Sequence, residues 1–272
     1  MEILSIIPAR GGSKGIKRKN LKPILDKPLV AYTIEASLKS KYITKTIVSS
    51  EDDEILEVSK SFGAEVIKRP DELAQDETKT LPVMVQVIEE LKKQGYNSDY
   101  TVLLQPTCPL RDENYIDSAF DYYFENMKKG YDSCFSVFDI GRTHAKWRVL
   151  HNGKMEALYD YRTRPRRQDL AEHYKMLCEN GAFYALPTDI LLEVKDFIGY
   201  NPVPYITPRV IDIDTEEDFL KVEECLKKSA LKWFQFIVFF QNTRHLCVFM
   251  NPLAQNILMM QLKNLAFWKA SI

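Results

Sequence analysis

The feature that most constrains this chain is a glycine-rich run placed directly behind an apolar one. Ile3-Leu4-Ser5-Ile6-Ile7 reads as a first buried strand, and Pro8-Ala9-Arg10-Gly11-Gly12-Ser13-Lys14-Gly15-Ile16 follows it, closed by Lys19-Asn20. A glycine-rich turn after a first strand is where an α/β protein brings backbone N–H groups close to phosphate. Five cations, Arg10, Lys14, Lys17, Arg18 and Lys19, lie among or beside these glycines. Accessible backbone with clustered positive charge suits a triphosphate.

Two common phosphate motifs do not match. A Walker loop requires Gly-Lys followed by Ser or Thr after four spacers, and none occurs here. A dinucleotide fingerprint requires Gly-x-Gly-x-x-Gly, whereas this chain has Gly11-Gly12-x-x-Gly15. On glycine content alone, a tight strand-to-helix turn with solvated basic side chains is as good a reading. The complete string is far less common than its glycines.

Length allows one sizeable core with a small appendage, since the chain has 272 residues. Its 45% hydrophobic and 28% charged residues are those of a soluble globular protein. A net charge of −1 gives no basic excess for a nucleic-acid backbone. The five cysteines, Cys108, Cys134, Cys178, Cys225 and Cys247, form no close pairs and no zinc spacing. Reduced thiols in a cytoplasm are therefore expected. The N-terminus has no basic region before a long apolar stretch, so no signal peptide is expected.

Strand and helix signals alternate. Leu29, Val30, Ile34 and Leu38 put a stripe on a helix after Pro28. Thr46–Ser50 reads as a strand and Asp52–Phe62 as a helix stopped by Gly63. Glu65–Ile67, Tyr100–Leu104 and Ser133–Val137 read as further strands. Met84, Val87, Ile88 and Leu91 mark one more helix, and Asp112 is expected to cap another bearing Ile116, Ala119, Phe120 and Tyr123. This alternation predicts a parallel α/β sheet with helices on both faces. Ligands then bind beyond the carboxyl ends of the strands. The glycine-rich loop and the segments after Leu104 and Val210 are expected to share one rim.

Residues 139–172 lack a period and are rich in Arg, His and Tyr, as in an excursion from the sheet. Residues 229–272 contain no Asp or Glu, four cations and two of the three tryptophans. They read as an atypical apolar extension of unknown function after a domain spanning 1–228. Ala230–Phe240 is far short of the roughly 20 residues that span a bilayer, so no membrane span is expected. His144, His151, His173 and His245 show no ligand spacing.

Three more segments carry chemistry. In Val210-Ile211-Asp212-Ile213-Asp214, strand alternation puts both aspartates on one side, a pair of hard oxygens suited to Mg²⁺. Thr215 with Asp218 forms a capping box for the next helix. Without further context the pair is equally two surface aspartates before a cap. Leu103-Leu104-Gln105-Pro106-Thr107-Cys108-Pro109-Leu110-Arg111 ends a strand in a turn stiffened by two prolines, holding Gln105 at the rim. Arg164, Arg166 and Arg167, followed by Gln168, suit an anionic partner or a solvated turn.

The string from Ile7 to Ile16, with Lys19-Asn20, resembles the nucleotide-binding signature of the acylneuraminate cytidylyltransferases. Lys17 stands where that family commonly has proline, and Cys108 replaces the usual serine of its Gln-Pro-Thr-Ser-Pro-Leu-Arg. The resemblance runs to about residue 228. It implies a mostly parallel, Rossmann-like nucleotidyltransferase sheet with a small dimerisation excursion. The implied activity is transfer of CMP from CTP to a nine-carbon 2-keto sugar acid by a cytoplasmic homodimer. Arg10, Lys19, Gln105 and Asp214 then act in catalysis. Ala9, Arg10, Gly11, Gly12, Ser13, Lys19, Asn20, Arg69 and Thr80 hold the nucleotide. Gln105, Arg167 and Gln168 face the sugar, and Asp212 and Asp214 bind Mg²⁺. Asn180-Gly181 is expected to be a turn beside the sugar. The alternatives are a cytidylyltransferase for Kdo, another sugar nucleotidyltransferase, or a nucleotide-binding module without catalysis.

Overall fold

The computed structural model describes residues 1–141, 147–150, 153–158, 162, 166 and 176–241, with backbone alone for Trp147 and for residues 230–241. The apolar run at the start forms β1 (Ile3–Pro8), and the glycine-rich loop leads to a small hairpin, β2 (Pro23–Ile24) and β3 (Lys27–Pro28). Then come α1 (Leu29–Lys39), β4 (Lys45–Ser50), α2 (Asp53–Ser61), β5 (Glu65–Lys68), α3 (Thr80–Lys93), β6 (Tyr100–Leu103) and α4 (Tyr115–Met127). The second half contains β7 (Ser133–Asp139), a hairpin of β8 (Trp147–Val149) and β9 (Met155–Ala157), β10 (Leu177–Pro187), α5 (Thr188–Val194), β11 (Pro202–Thr207) and α6 (Glu216–Gln241).

Seven strands form one sheet in the order β11-β7-β10-β6-β1-β4-β5. It is parallel except for β10, which runs antiparallel to both β6 and β7. β1 is apolar on both faces because both are covered. Ile3 and Ile7 pack with Val30, Ile55, Phe120 and Tyr123 on one side. Leu4 and Ile6 pack with Met84, Val87, Leu91 and Leu191 on the other. Each such side chain, fully buried, contributes about 1.5–3 kcal/mol. A third cluster joins Ile16 of the loop to Ile213, Phe219 and Val222, and so fastens the glycine-rich segment to α6.

Several local expectations need correction. Leu38 is 47% exposed and lies beside Gly63 rather than in the core. Asp112 accepts from the Asn114 amide at 3.1 Å, closing a turn before α4, and the helix starts after Asn114. Residues 210–214 make no ladder, so they are an irregular segment and not a strand. Asn180-Gly181 is no free turn. It sits inside β10, where the pairing with β7 shifts register between Glu179 and Tyr184 and Gly181 takes φ +72°. Such a bulge bends a strand and re-aims its side chains.

Candidate active site

β1 delivers the loop to the carboxyl end of the sheet. Ala9 is fully buried and its N–H donates to the Ser49 carbonyl at 2.9 Å, extending the β1–β4 pairing by one residue. The chain then turns across the strand ends. The Gly11 N–H donates to Glu51 Oε1 at 2.6 Å. Asn20 is buried, and its Nδ2 donates to the Arg10 carbonyl at 2.9 Å, tying the two ends of the loop together. At Gly15 a Cβ atom would lie 2.3 Å from the Asp214 carbonyl oxygen, so only glycine permits this contact.

The loop thereby forms one wall of a cleft of about 450 Å³. Arg10, Ser13, Lys14, Gly15, Lys19 and Asn20 line it from the loop. Arg69, Thr80, Gln105, Asp212 and Asp214 line it from elsewhere, so the expected shared rim is present. Ala9, Gly11 and Gly12 are not among its walls. Of the five loop cations, Arg10, Lys14 and Lys19 face the cleft. Arg18 turns away, donating to Asp52 at 2.9 and 3.1 Å and to Glu54 at 2.7 Å.

The cleft's cations are held by carboxylates and carbonyls. Arg10 and Lys14 share Asp76 at 3.1 and 2.7 Å, and Lys14 holds the Asp76 carboxyl below its ordinary value. Lys19 Nζ donates to the Ile213 carbonyl at 2.5 Å and lies 3.4 Å from Asp214 Oδ1. Arg69, only 4% exposed, donates to the Ser49 carbonyl at 2.7 Å, and burial lowers its pKa. Sequence reading did not assign Asp76 a role. An acidic residue in an exposed loop carries no signal until its partners are known.

Gln105 and Asp212 also line a second cavity of about 820 Å³, whose walls include Phe138, Glu179, Tyr184, Arg209 and Lys221. The two cavities meet at these two side chains. Gln105 lies so close to Gly181 that a Cβ there would approach Gln105 Oε1 to 2.5 Å. Arg111 braces the junction. Half-buried, it donates to Gln105 O at 2.9 Å, Cys108 O at 2.6 Å, Ala182 O at 3.0 Å and Thr33 Oγ1 at 2.9 Å. It thus ties the turn after β6 to the bulge of β10. Cys108 is fully buried and its thiol donates to the Asn180 carbonyl at 3.0 Å. Burial pushes that thiol up to about 12, so it stays protonated and structural.

Ile213 is fully buried and its N–H donates to the Thr107 carbonyl at 2.9 Å. Asp212 and Asp214 on either side are exposed, so the irregular segment still presents both carboxylates outward. Arg167, Gln168 and the four histidines lie outside the described residues.

The sequence matches the model of the family described as Cytidylyltransferase over residues 4–241. The chain belongs to this family. Among its relatives is an N-acylneuraminate cytidylyltransferase of Escherichia coli O18:K1:H7, 32% identical over 80% of this chain and 50% of the relative. A pseudaminic acid cytidylyltransferase of Campylobacter jejuni is 34% identical over 80% of this chain and 93% of the relative. The chain thus spans half the length of the first relative and nearly all of the second. A CTP complex of CMP:2-keto-3-deoxy-manno-octonic acid synthetase has a TM-score of 0.61 at 17% identity, covering 84% of this chain and 100% of that one. A 4-diphosphocytidyl-2C-methyl-D-erythritol synthase gives 0.59 at 13% identity, over 83% and 98%. At these identities the two structures show a shared nucleotidyltransferase fold. Membership of the cytidylyltransferases is what the loop signature implied.

Proposed function

We propose that this cytidylyltransferase transfers CMP from CTP to the anomeric 2-hydroxyl of a nonulosonic acid, with release of pyrophosphate. The observation that carries this reading is the meeting of two cavities at Gln105 and Asp212. One is lined by Arg10, Lys14 and Lys19, the cations a triphosphate needs. The other is large enough for a nine-carbon sugar. The hydroxyl oxygen attacks the α-phosphorus at the junction, a new P–O bond forms, and the bond to pyrophosphate breaks.

Catalysis here is positioning and charge stabilisation. Arg10, Lys14 and Lys19 exchange their carboxylate partners for phosphate oxygens. Arg111 fixes the backbone of Gln105, whose side-chain amide then orients the reacting groups. Asp212 and Asp214 fit Mg²⁺, which takes one or two protein carboxylates and leaves its other positions to water and phosphate. Mg²⁺ held there would offset charge on the triphosphate and lower the pKa of the attacking hydroxyl.

A CTP-consuming reaction belongs where nucleoside triphosphates are made, the cytoplasm, and no helix among the described residues is long and apolar enough to cross a membrane. We also read the protein as a homodimer. The β8–β9 hairpin supports this, because it exposes Val149, Met155 and Leu158 outside the core.

The deciding assay offers sialic, legionaminic, pseudaminic and Kdo acids separately with CTP and Mg²⁺ and follows pyrophosphate. Release with a nonulosonic acid is expected. Release with Kdo alone moves the enzyme to the other specificity, and binding of CTP without release leaves a non-catalytic module. Lys19→Ala is expected to lower turnover about 100-fold or more, as loss of a transition-state charge partner does. Its melting should shift little, since one hydrogen bond of about 1 kcal/mol is lost. Near-normal turnover would remove Lys19 from the mechanism.

A further inference from the structure

Cations line both cavities. Around the first, Arg10, Lys14 and Lys19 already have acidic neighbours. In the second, Lys221 is paired with Glu217 at 2.7 Å. Arg209 is the other cation of this second cavity, and among the described residues it makes no ion pair. Its guanidinium carbon stands 5.4 Å from the centre of the Phe138 ring, and both side chains line the second cavity. A guanidinium resting on an aromatic face is oriented by the ring while its N–H fork stays free in its own plane.

The remaining charge of this cavity is negative. Glu179 accepts from the Tyr184 hydroxyl at 2.9 Å. Asp218 accepts from the Thr215 amide and hydroxyl at 3.0 and 2.7 Å. Asp212 stands at the junction. An anionic substrate entering among three carboxylates needs a cation not already engaged.

We propose that Arg209 binds the carboxylate of the sugar acid and so selects acids over neutral sugars. The proposal rests on the transfer reaction above and names the residue that reads its acceptor. The chemistry fits the chain path, for Arg209 precedes Asp212 by three residues. In a 2-keto acid the carboxylate is bonded to the same carbon as the attacking hydroxyl. A group that holds the carboxylate therefore also fixes the hydroxyl at the junction. Bidentate Arg–carboxylate pairing supplies that orientation, which a lysine ammonium supplies less well.

The test compares a sugar acid that supports turnover with its C1 carboxamide, in the full-length protein and in Arg209→Gln and Arg209→Lys. The wild type is expected to prefer the acid by about 10- to 100-fold in kcat/KM, the range for a charged hydrogen-bonded pair. Arg209→Gln should bring that preference close to unity while the KM for CTP stays within about twofold. Arg209→Lys should recover part of it. Arg209 is exposed, and thermal melting of each variant confirms an intact fold. An undiminished preference in Arg209→Gln overturns the assignment while leaving the reaction intact. A matching rise in the KM for CTP reassigns Arg209 to the nucleotide. Wild-type silence with every acid overturns the reaction and the assignment with it.

Discussion

Gly12 and Gly15 sit three residues apart in one loop, and an added methyl group meets different surroundings at each. At Gly12 nothing lies within 4 Å of a Cβ position, whereas at Gly15 the Asp214 carbonyl oxygen is 2.3 Å away. That oxygen is backbone and cannot swing aside. Gly15→Ala must push the loop away from the segment bearing Asp212 and Asp214. Pyrophosphate release is expected to fall at least about tenfold in Gly15→Ala, because misplacement of reacting groups by about 1 Å is costly. Gly12→Ala should stay within about twofold of wild type in the same assay. Equal effects at both positions would show that the loop is read by its backbone N–H groups and not by its contact with Asp214. In the sequence these glycines are indistinguishable, since each only frees the backbone. The contact that separates them comes from a residue almost two hundred positions later. The same limit applied to the cations. Arg10 and Lys19 were legible from the motif, but the pairing of Arg18 with Asp52 and Glu54, the neutralising role of Asp76 and the brace made by Arg111 depend on tertiary neighbours.

Elements with local stop and start signals were the legible ones. Asp52 accepts from the Ile55 amide at 3.0 Å and starts α2, and Gly63 at φ +91° follows its end. The box at the head of α6 was legible for the same reason. Asp218 N–H donates to Thr215 Oγ1 at 3.2 Å, while Thr215 N–H returns a bond to Asp218 Oδ2 at 3.0 Å. Thr215→Ala is expected to destabilise the fold by about 1 kcal/mol, the usual worth of such a cap, and Asp218→Ala to destabilise it in the same direction, as read by chemical denaturation. The Thr215 hydroxyl and amide hold the Asp218 carboxyl below the ordinary carboxylate pKa. Its contribution is therefore present above that ordinary value and fades as pH falls through the lower, folded value. The stability difference between Asp218→Asn and wild type should accordingly shrink below pH 4 and be constant near neutrality. β10 and β11 were illegible. β10 carries Glu179-Asn180-Gly181 inside a strand, where polar residues and a glycine normally announce a turn. β11 contains Pro202 and Pro204, which argue against a strand unless it lies at an edge, and there it lies.

At the scale of the whole molecule, the sheet's two faces and the α6 cluster account for the buried apolar side chains, and the β8–β9 hairpin stands apart. Val149 and Met155 are 71% and 61% exposed. Apolar side chains grouped in this way mark an association surface. If the homodimer forms there, Val149→Asp with Met155→Asp should convert a dimer to a monomer in sedimentation velocity. A monomeric wild type, or a dimer indifferent to both charges, would place association elsewhere. Assembly of the sheet itself follows from the reversed strand at its centre. β6 and β7 never touch as neighbours, because β10 fills the place between them. On the ribosome, β1, β4, β5 and β6 can pair as soon as they emerge, but the β6 edge then stays open while residues 104–176 are made. β7 leaves the exit tunnel with neither of its partners, β10 and β11, yet synthesised. The nascent protein thus carries three bare strand edges, one on β6 and two on β7, until its last third arrives, and those edges are where chaperones or self-association will find it.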